Sequence, residues 1–83
     1  MECTVDGRRI QYIDEGSGPV VLLLHGWAAP AETYRLIIGH LSAYCRVIAP
    51  NMPGCGGSEE PPVPWYVDDY VDFTLHFAAV LGI

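Results

Sequence analysis

An α/β fold built on a parallel central sheet is the class this sequence predicts, and three observations predict it. The first is the run Val20-Val21-Leu22-Leu23-Leu24, entered from the turn-forming Gly16-Ser17-Gly18-Pro19 and left through His25-Gly26-Trp27. Five apolar residues are too few for a stable helix and read as a strand buried on both faces, the kind found in the middle of a parallel sheet. The second is the helical pattern that follows, from about Ala31 to Tyr44. The third is a second β-branched run, Arg46-Val47-Ile48-Ala49, which completes the order strand, helix, strand of a right-handed βαβ unit.

Taken in order, residues 3–15 read as a hairpin. Cys3-Thr4-Val5 is a short extended run, Asp6-Gly7 is a strong turn signal, and Arg9–Asp14 alternates polar with apolar until Ile13 breaks the phase set by Ile10 and Tyr12. Glu15–Pro19 turns the chain into the expected central strand. After Trp27, Pro30 is placed to open a helix whose stripe Tyr34, Ile37, Ile38, Leu41 and Cys45 packs on the sheet, with Glu32, Arg35 and His40 facing water. Gly39 lies inside that helix, where close approach to the sheet would explain it. The strand Arg46–Ala49 ends at Pro50, and a Gly/Pro-rich loop runs to Pro64, where the prolines exclude helix or central strand. A second amphipathic helix is expected from about Val67 to Leu81. Its packed face is Val67, Tyr70, Val71, Thr74, Phe77, Ala78 and Leu81; its wet face is Asp68, Asp69, Asp72 and His76, and Gly82 closes it.

Composition excludes several functions. The net charge is −6, and residues 59–83 hold five acidic residues and no basic one, so no positive face exists to hold a phosphate backbone and nucleic acid is not a partner. The chain has no Lys, which removes a phosphate-cradling reading of Gly54-Cys55-Gly56-Gly57-Ser58. Three cysteines, Cys3, Cys45 and Cys55, lack metal-ligand spacing with any His, so neither a metal nor another cofactor is expected, and a reducing, cytoplasmic setting fits. The N-terminus has no basic leader, and the longest apolar run is far too short to span a bilayer. Eighty-three residues with 51% hydrophobic content, and only two long helical patterns to cover a sheet that wants helices on both faces, read as part of a larger core. One incomplete domain is therefore expected over residues 1–83.

An apolar strand ending in His-Gly-aromatic, a helix, a second strand and a loop of the form Asp-x-Pro-Gly-x-Gly-x-Ser together resemble the N-terminal part of an α/β-hydrolase. Here these are Val20–Leu24, His25-Gly26-Trp27, Ala31–Tyr44, Arg46–Ala49 and Asn51-Met52-Pro53-Gly54-Cys55-Gly56-Gly57-Ser58, and with the hairpin and final helix the resemblance covers nearly the whole chain. It implies a hairpin followed by β-α-β-α, and an oxyanion hole with one donor in the loop after the central strand. By resemblance that donor is the backbone N–H of Trp27. Gly26 admits the substrate closely, and His25 is read as bracing the loop, since the triad histidine follows the nucleophile in this fold. The loop bearing Asn51, Pro53, Gly54, Gly56 and Ser58 is read as conformational, with Asn51 standing where the family usually has Asp. Trp27 and Trp65 are candidates for lining an acyl pocket, against the ordinary reading of core aromatics.

No residue of a catalytic triad is expected in this chain. Ser17, Ser42 and Ser58 lack a G-x-S-x-G frame, and Cys55, the one conceivable nucleophile with His25, His40 or His76, has no orienting acid beside it. The expected function is thus the N-terminal portion of a hydrolase acting on a small ester-like or other apolar molecule, through a nucleophile, His and acid located beyond this chain. The alternative is a short non-catalytic protein that docks its sheet edge and apolar helix face on a partner. The substrate, the nucleophile's identity and the oligomeric state are left open by the sequence.

Overall fold

Strand β1 (Glu2–Val5) and strand β2 (Arg8–Glu15) form the opening hairpin of the computed structural model, which describes residues 1–26 and 29–83. Asp6 and Gly7 both take positive φ, +50° and +80°, the left-handed pair that a two-residue hairpin turn requires and that Asp-Gly supplies at least cost. Strand β3 (Val20–Leu22) and strand β4 (Arg46–Pro50) complete a four-stranded sheet in the order β1-β2-β4-β3. The pairs β1–β2 and β2–β4 are antiparallel, while β3–β4 is parallel, in register Val20 with Arg46 and Leu22 with Ile48. The β3–β4 pair and the helix between them make the βαβ unit that the sequence predicts.

Helices cover both faces of this sheet. A 3-10 turn over Ala31–Tyr34 leads into α1 (Arg35–Leu41), and α2 (Val67–Leu81) lies on the opposite side. Ile13, Val47 and Ala49 pack with Ala31, Ile38 and Cys45 on the α1 side. Ile10, Tyr12 and Ile48 pack with Val5, Phe73 and Phe77 on the α2 side. Alternate residues of β4 therefore feed two cores, as the two-residue side-chain period demands. The phase slip at Ile13 has the same cause, because β2 is covered on both faces where it pairs with β4.

Five sequence expectations are corrected in detail. The strand expected to be buried on both faces occupies an outer position in the sheet: Val20 and Leu24 are each 44% exposed, and the fully covered strand is β4. The helix expected over Ala31–Tyr44 is α-helical only over Arg35–Leu41, since the tighter 3-10 turn precedes it and the amides of Tyr44 and Cys45 both close on Leu41 O. The packed stripe is narrower than expected: Tyr34, Ile38, Leu41 and Cys45 face the sheet while Ile37 is 52% exposed. Gly39 approaches nothing: a Cβ there would meet no atom within 4 Å.

In α2 the packed face is rotated from the expected one. Phe73 and Phe77 are buried and Val67 and Val71 are exposed, because the ring of Phe77 meets Tyr12 edge-on at 5.5 Å and Phe73 lies against both Phe77 and Trp65. Tyr66 N–H donates to the Asp69 carboxylate at 2.8 Å at the helix start, and Gly82 ends the helix at φ +73°. No helix of the described residues is long and apolar enough to cross a membrane.

Candidate functional site

The carboxyl ends of the two parallel strands, β3 and β4, open on the same side of the molecule, the place where α/β sheets bind ligands. Beyond them lies an open cleft of about 510 Å3. His25 and Gly26 line it from the end of β3, Met52 and Cys55 from the loop after β4, and Trp65, Tyr66, Val67 and Tyr70 from the start of α2. Its wall is mostly apolar. Trp65 is fixed there by an edge-on contact with Tyr70 at 5.1 Å and by the Arg8 guanidinium, 5.2 Å from its ring centre.

His25 is held at both ring nitrogens. Met52 N–H donates to Nε2 at 2.9 Å, so that nitrogen carries no proton, and Nδ1 is left to donate to Gly26 O at 2.8 Å. The result is an imidazole that ties the loop after β3 to the loop after β4, with both ring nitrogens engaged by backbone. His40 is exposed on α1, and His76 contacts Asp6 at 2.6 Å. No hydrogen bond among the described residues joins Cys55 to a histidine, and none of them gather into a metal-binding group.

The glycine loop is built around Asn51, which is 3% exposed. Its Oδ1 accepts Ala31 N–H at 2.8 Å, and its Nδ2 donates to Gln11 Oε1 at 3.2 Å. Gln11 Oε1 also accepts Gly57 N–H at 3.1 Å. Ser58 Oγ donates to Asn51 O at 2.8 Å and accepts Gln11 N–H at 3.0 Å, so a side chain satisfies the edge of β2 beyond the end of β4. Arg9 N–H is satisfied in the same way by Glu59 Oε1 at 2.9 Å.

Two glycines of this loop are required by contact. A Cβ on Gly56 would stand 2.6 Å from Asn51 Nδ2, at a φ of +52°, and one on Gly57 would stand 2.5 Å from Gln11 Oε1. Gly54 needs its positive φ, +86°, rather than space, and Pro53 is buried beside it.

The structure thus brings His25, Gly26 and the loop of Asn51, Pro53, Gly54, Gly56 and Ser58 together at one end of the sheet. Trp27, the residue expected to supply the oxyanion donor, lies outside the described residues, as does Ala28. Gln11 was not singled out by the sequence. A polar residue at an outward position of an alternating strand carries no signal that its carbonyl collects two donors from a loop forty or more residues away.

Comparison with known proteins shows the family. A profile of the alpha/beta hydrolase family matches residues 21–83. Haloalkane dehalogenase 2 of Mycobacterium tuberculosis is 40% identical over 76 residues, which are 90% of this chain and 27% of that protein. The soluble epoxide hydrolase of Corynebacterium sp. strain C12 is 38% identical over 60 residues, 72% of this chain and 21% of that protein. Among solved structures, a meta-cleavage product hydrolase from Pseudomonas fluorescens superimposes with a TM-score of 0.88 at 34% identity, covering 100% of this chain and 32% of that one. The chain spans about a quarter of the length of the curated relatives it matches. With the profile matched over residues 21–83 and relatives 40% identical over 90% of its length, the chain belongs to the alpha/beta hydrolase family.

Proposed function

We propose that this chain is the N-terminal, oxyanion-side portion of a hydrolase that acts on a small apolar molecule. The observation that carries the reading is the His25 clamp beside an apolar cleft at the carboxyl ends of β3 and β4. A loop fixed at this place can hold a backbone N–H in a preset direction, and fixed donors stabilise developing negative charge without reorganising. The donor in this proposal is Trp27 N–H, with Gly26 giving the substrate close access and His25 acting as a brace. The nucleophile, the acid and the proton-carrying His come from residues outside this chain. Within the small apolar class stand esters, thioesters and lactones, and the names of the relatives put haloalkanes and epoxides beside them as candidates. The family match weighs against a non-catalytic docking protein.

The test uses the whole protein expressed from its gene, assayed with p-nitrophenyl acetate, 1-bromobutane and styrene oxide. Turnover of at least one is expected. Trp27→Pro, which deletes the N–H, lowers kcat by about 100-fold to 1000-fold, while Trp27→Phe stays within a few-fold of the parent. Equal activity in Trp27→Pro and the parent overturns the donor assignment. The 83-residue chain alone is expected to hydrolyse p-nitrophenyl acetate no faster than buffer; turnover that disappears in Cys55→Ala contradicts the proposal.

A further inference from the structure

His25 and Ala31, which flank the loop after β3, are each held by a hydrogen bond, and both bonds come from adjacent residues at the exit of β4. Met52 N–H holds the near end through His25 Nε2 at 2.9 Å, and Asn51 Oδ1 holds the far end through Ala31 N–H at 2.8 Å. The orientation of the Asn51 amide is dictated by this contact, since a backbone N–H can only face the oxygen. Gly57 N–H dictates the orientation of Gln11 in the same way. With both amides so fixed, Asn51 Nδ2 meets Gln11 Oε1, donor to acceptor, at 3.2 Å. The two side chains are a matched pair.

We infer that Asn51 is a positioning residue for the His25–Ala31 loop, acting through Ala31 at the loop's far end, and that it does so as an amide paired with Gln11. The inference rests on the proposed catalytic use of that loop, but it concerns the loop's geometry, which is measured without turnover. A carboxylate at position 51 keeps the acceptor for Ala31 and loses the donor for Gln11. It would set oxygen against oxygen at the Gln11 contact, and Gln11 could relieve this only by turning its Nε2 inward and abandoning Gly57 N–H. The uncharged residue at this position is therefore coupled to the residue at position 11, forty positions earlier in the chain.

The test is amide hydrogen exchange and side-chain 15N spectroscopy on the whole protein. In the parent, Ala31 N–H exchanges slowly, and the His25 ring shows a protonated Nδ1 and an unprotonated Nε2. In Asn51→Ala, Ala31 exchange rises at least 10-fold and the Gly26 and Ala29 amides broaden, while the His25 ring pattern is retained because its own tie is intact. Asn51→Asp preserves slow exchange at Ala31 but perturbs Gly57 and the Gln11 side-chain amide, whereas Gln11→Ala alone perturbs Gly57 and leaves Ala31 exchange slow. If Ala31 exchange is unchanged in Asn51→Ala, or if Ala31 and His25 signals are lost together, Asn51 has no positioning role of its own. Should Asn51→Ala fail to fold, Asn51→Asp decides: loss of slow exchange at Ala31, or no change at Gly57, overturns the inference. Activity that survives with Ala31 released would refute the use of the loop in catalysis and leave the Asn51 assignment standing.

Discussion

Glycine has opposite meanings at two positions of this chain, and the surroundings decide the sign. Gly16 turns the chain between β2 and β3 at φ +87°, and a Cβ there would lie 2.1 Å from Cys45 O and 2.7 Å from Ser42 O. Both neighbours are backbone and cannot move aside. Gly16→Ala is expected to cost at least about 2 kcal/mol from backbone strain and overpacking. Gly39 sits inside α1 with open space around its Cβ position, so Gly39→Ala is expected to stabilise by about 0.5–1 kcal/mol through helix propensity and a less flexible unfolded chain. Urea denaturation of the two variants beside the parent measures both, and destabilisation by Gly39→Ala would show that α1 is covered there. At this scale the sequence was legible where a residue type has one use: Asp6-Gly7 as a hairpin turn and Gly82 as a helix end both follow from φ alone. Gln11 and the far-end tie of Asn51 were not, because their roles depend on which backbone N–H groups arrive from other segments.

Two of the ion pairs that join elements across the fold have pH dependences of opposite sign. Arg46 on β4 holds Asp14 on β2 with two hydrogen bonds, 3.0 and 2.8 Å, and this guanidinium keeps the Asp14 carboxyl below its usual pKa. A lowered carboxylate pKa gives stability that is complete above about pH 4 and is lost as pH falls through the lowered value. Asp14→Asn should remove that acid-side slope and cost about 1 kcal/mol at neutral pH. His76 on α2 meets Asp6 in the hairpin turn, and the hydrogen bond, followed by the charge of Asp6, raises the imidazole pKa. A raised histidine pKa gives stability that is complete below about pH 6.5 and fades as pH rises through the raised value. Melting temperatures of the parent and His76→Gln should therefore diverge most at the acid end of the range from pH 5.5 to 8.5 and converge at the alkaline end; parallel curves would contradict the pair. The types and order of the elements were readable from apolar spacing, yet the buried faces of α1 and α2 were each read with a residue out of place. On the first, Ile37 is exposed while the rest of the expected stripe packs, and in the second Phe73 is claimed by the aromatic stack of Trp65 and Phe77.

The molecule as a whole is a sheet covered on both faces but open along one side. Val20 and Val21 of β3 and Leu24 after it are exposed, although their composition is that of a strand meant for the interior. Apolar surface also remains on the outer sides of the helices, where Leu36 is 77% and Leu75 is 63% exposed. Such a surface predicts that the 83-residue chain by itself binds ANS and associates at micromolar concentration, and a monomer melting in one sharp transition without ANS binding would contradict this. The family was legible because its two motifs follow directly after strands at the right separation; the exposure of β3 was not, since the sequence of a strand states what it is built to touch and not what is there. The central claim is that this fold supplies one side of a hydrolase site whose nucleophile lies elsewhere in the protein. The nucleotide sequence following the codon for Ile83 tests it most directly. The account predicts an open frame running into an apolar strand and a glycine-flanked Ser, Asp or Cys at a strand-to-helix elbow. A stop codon directly after Ile83 in intact genomic DNA would contradict it.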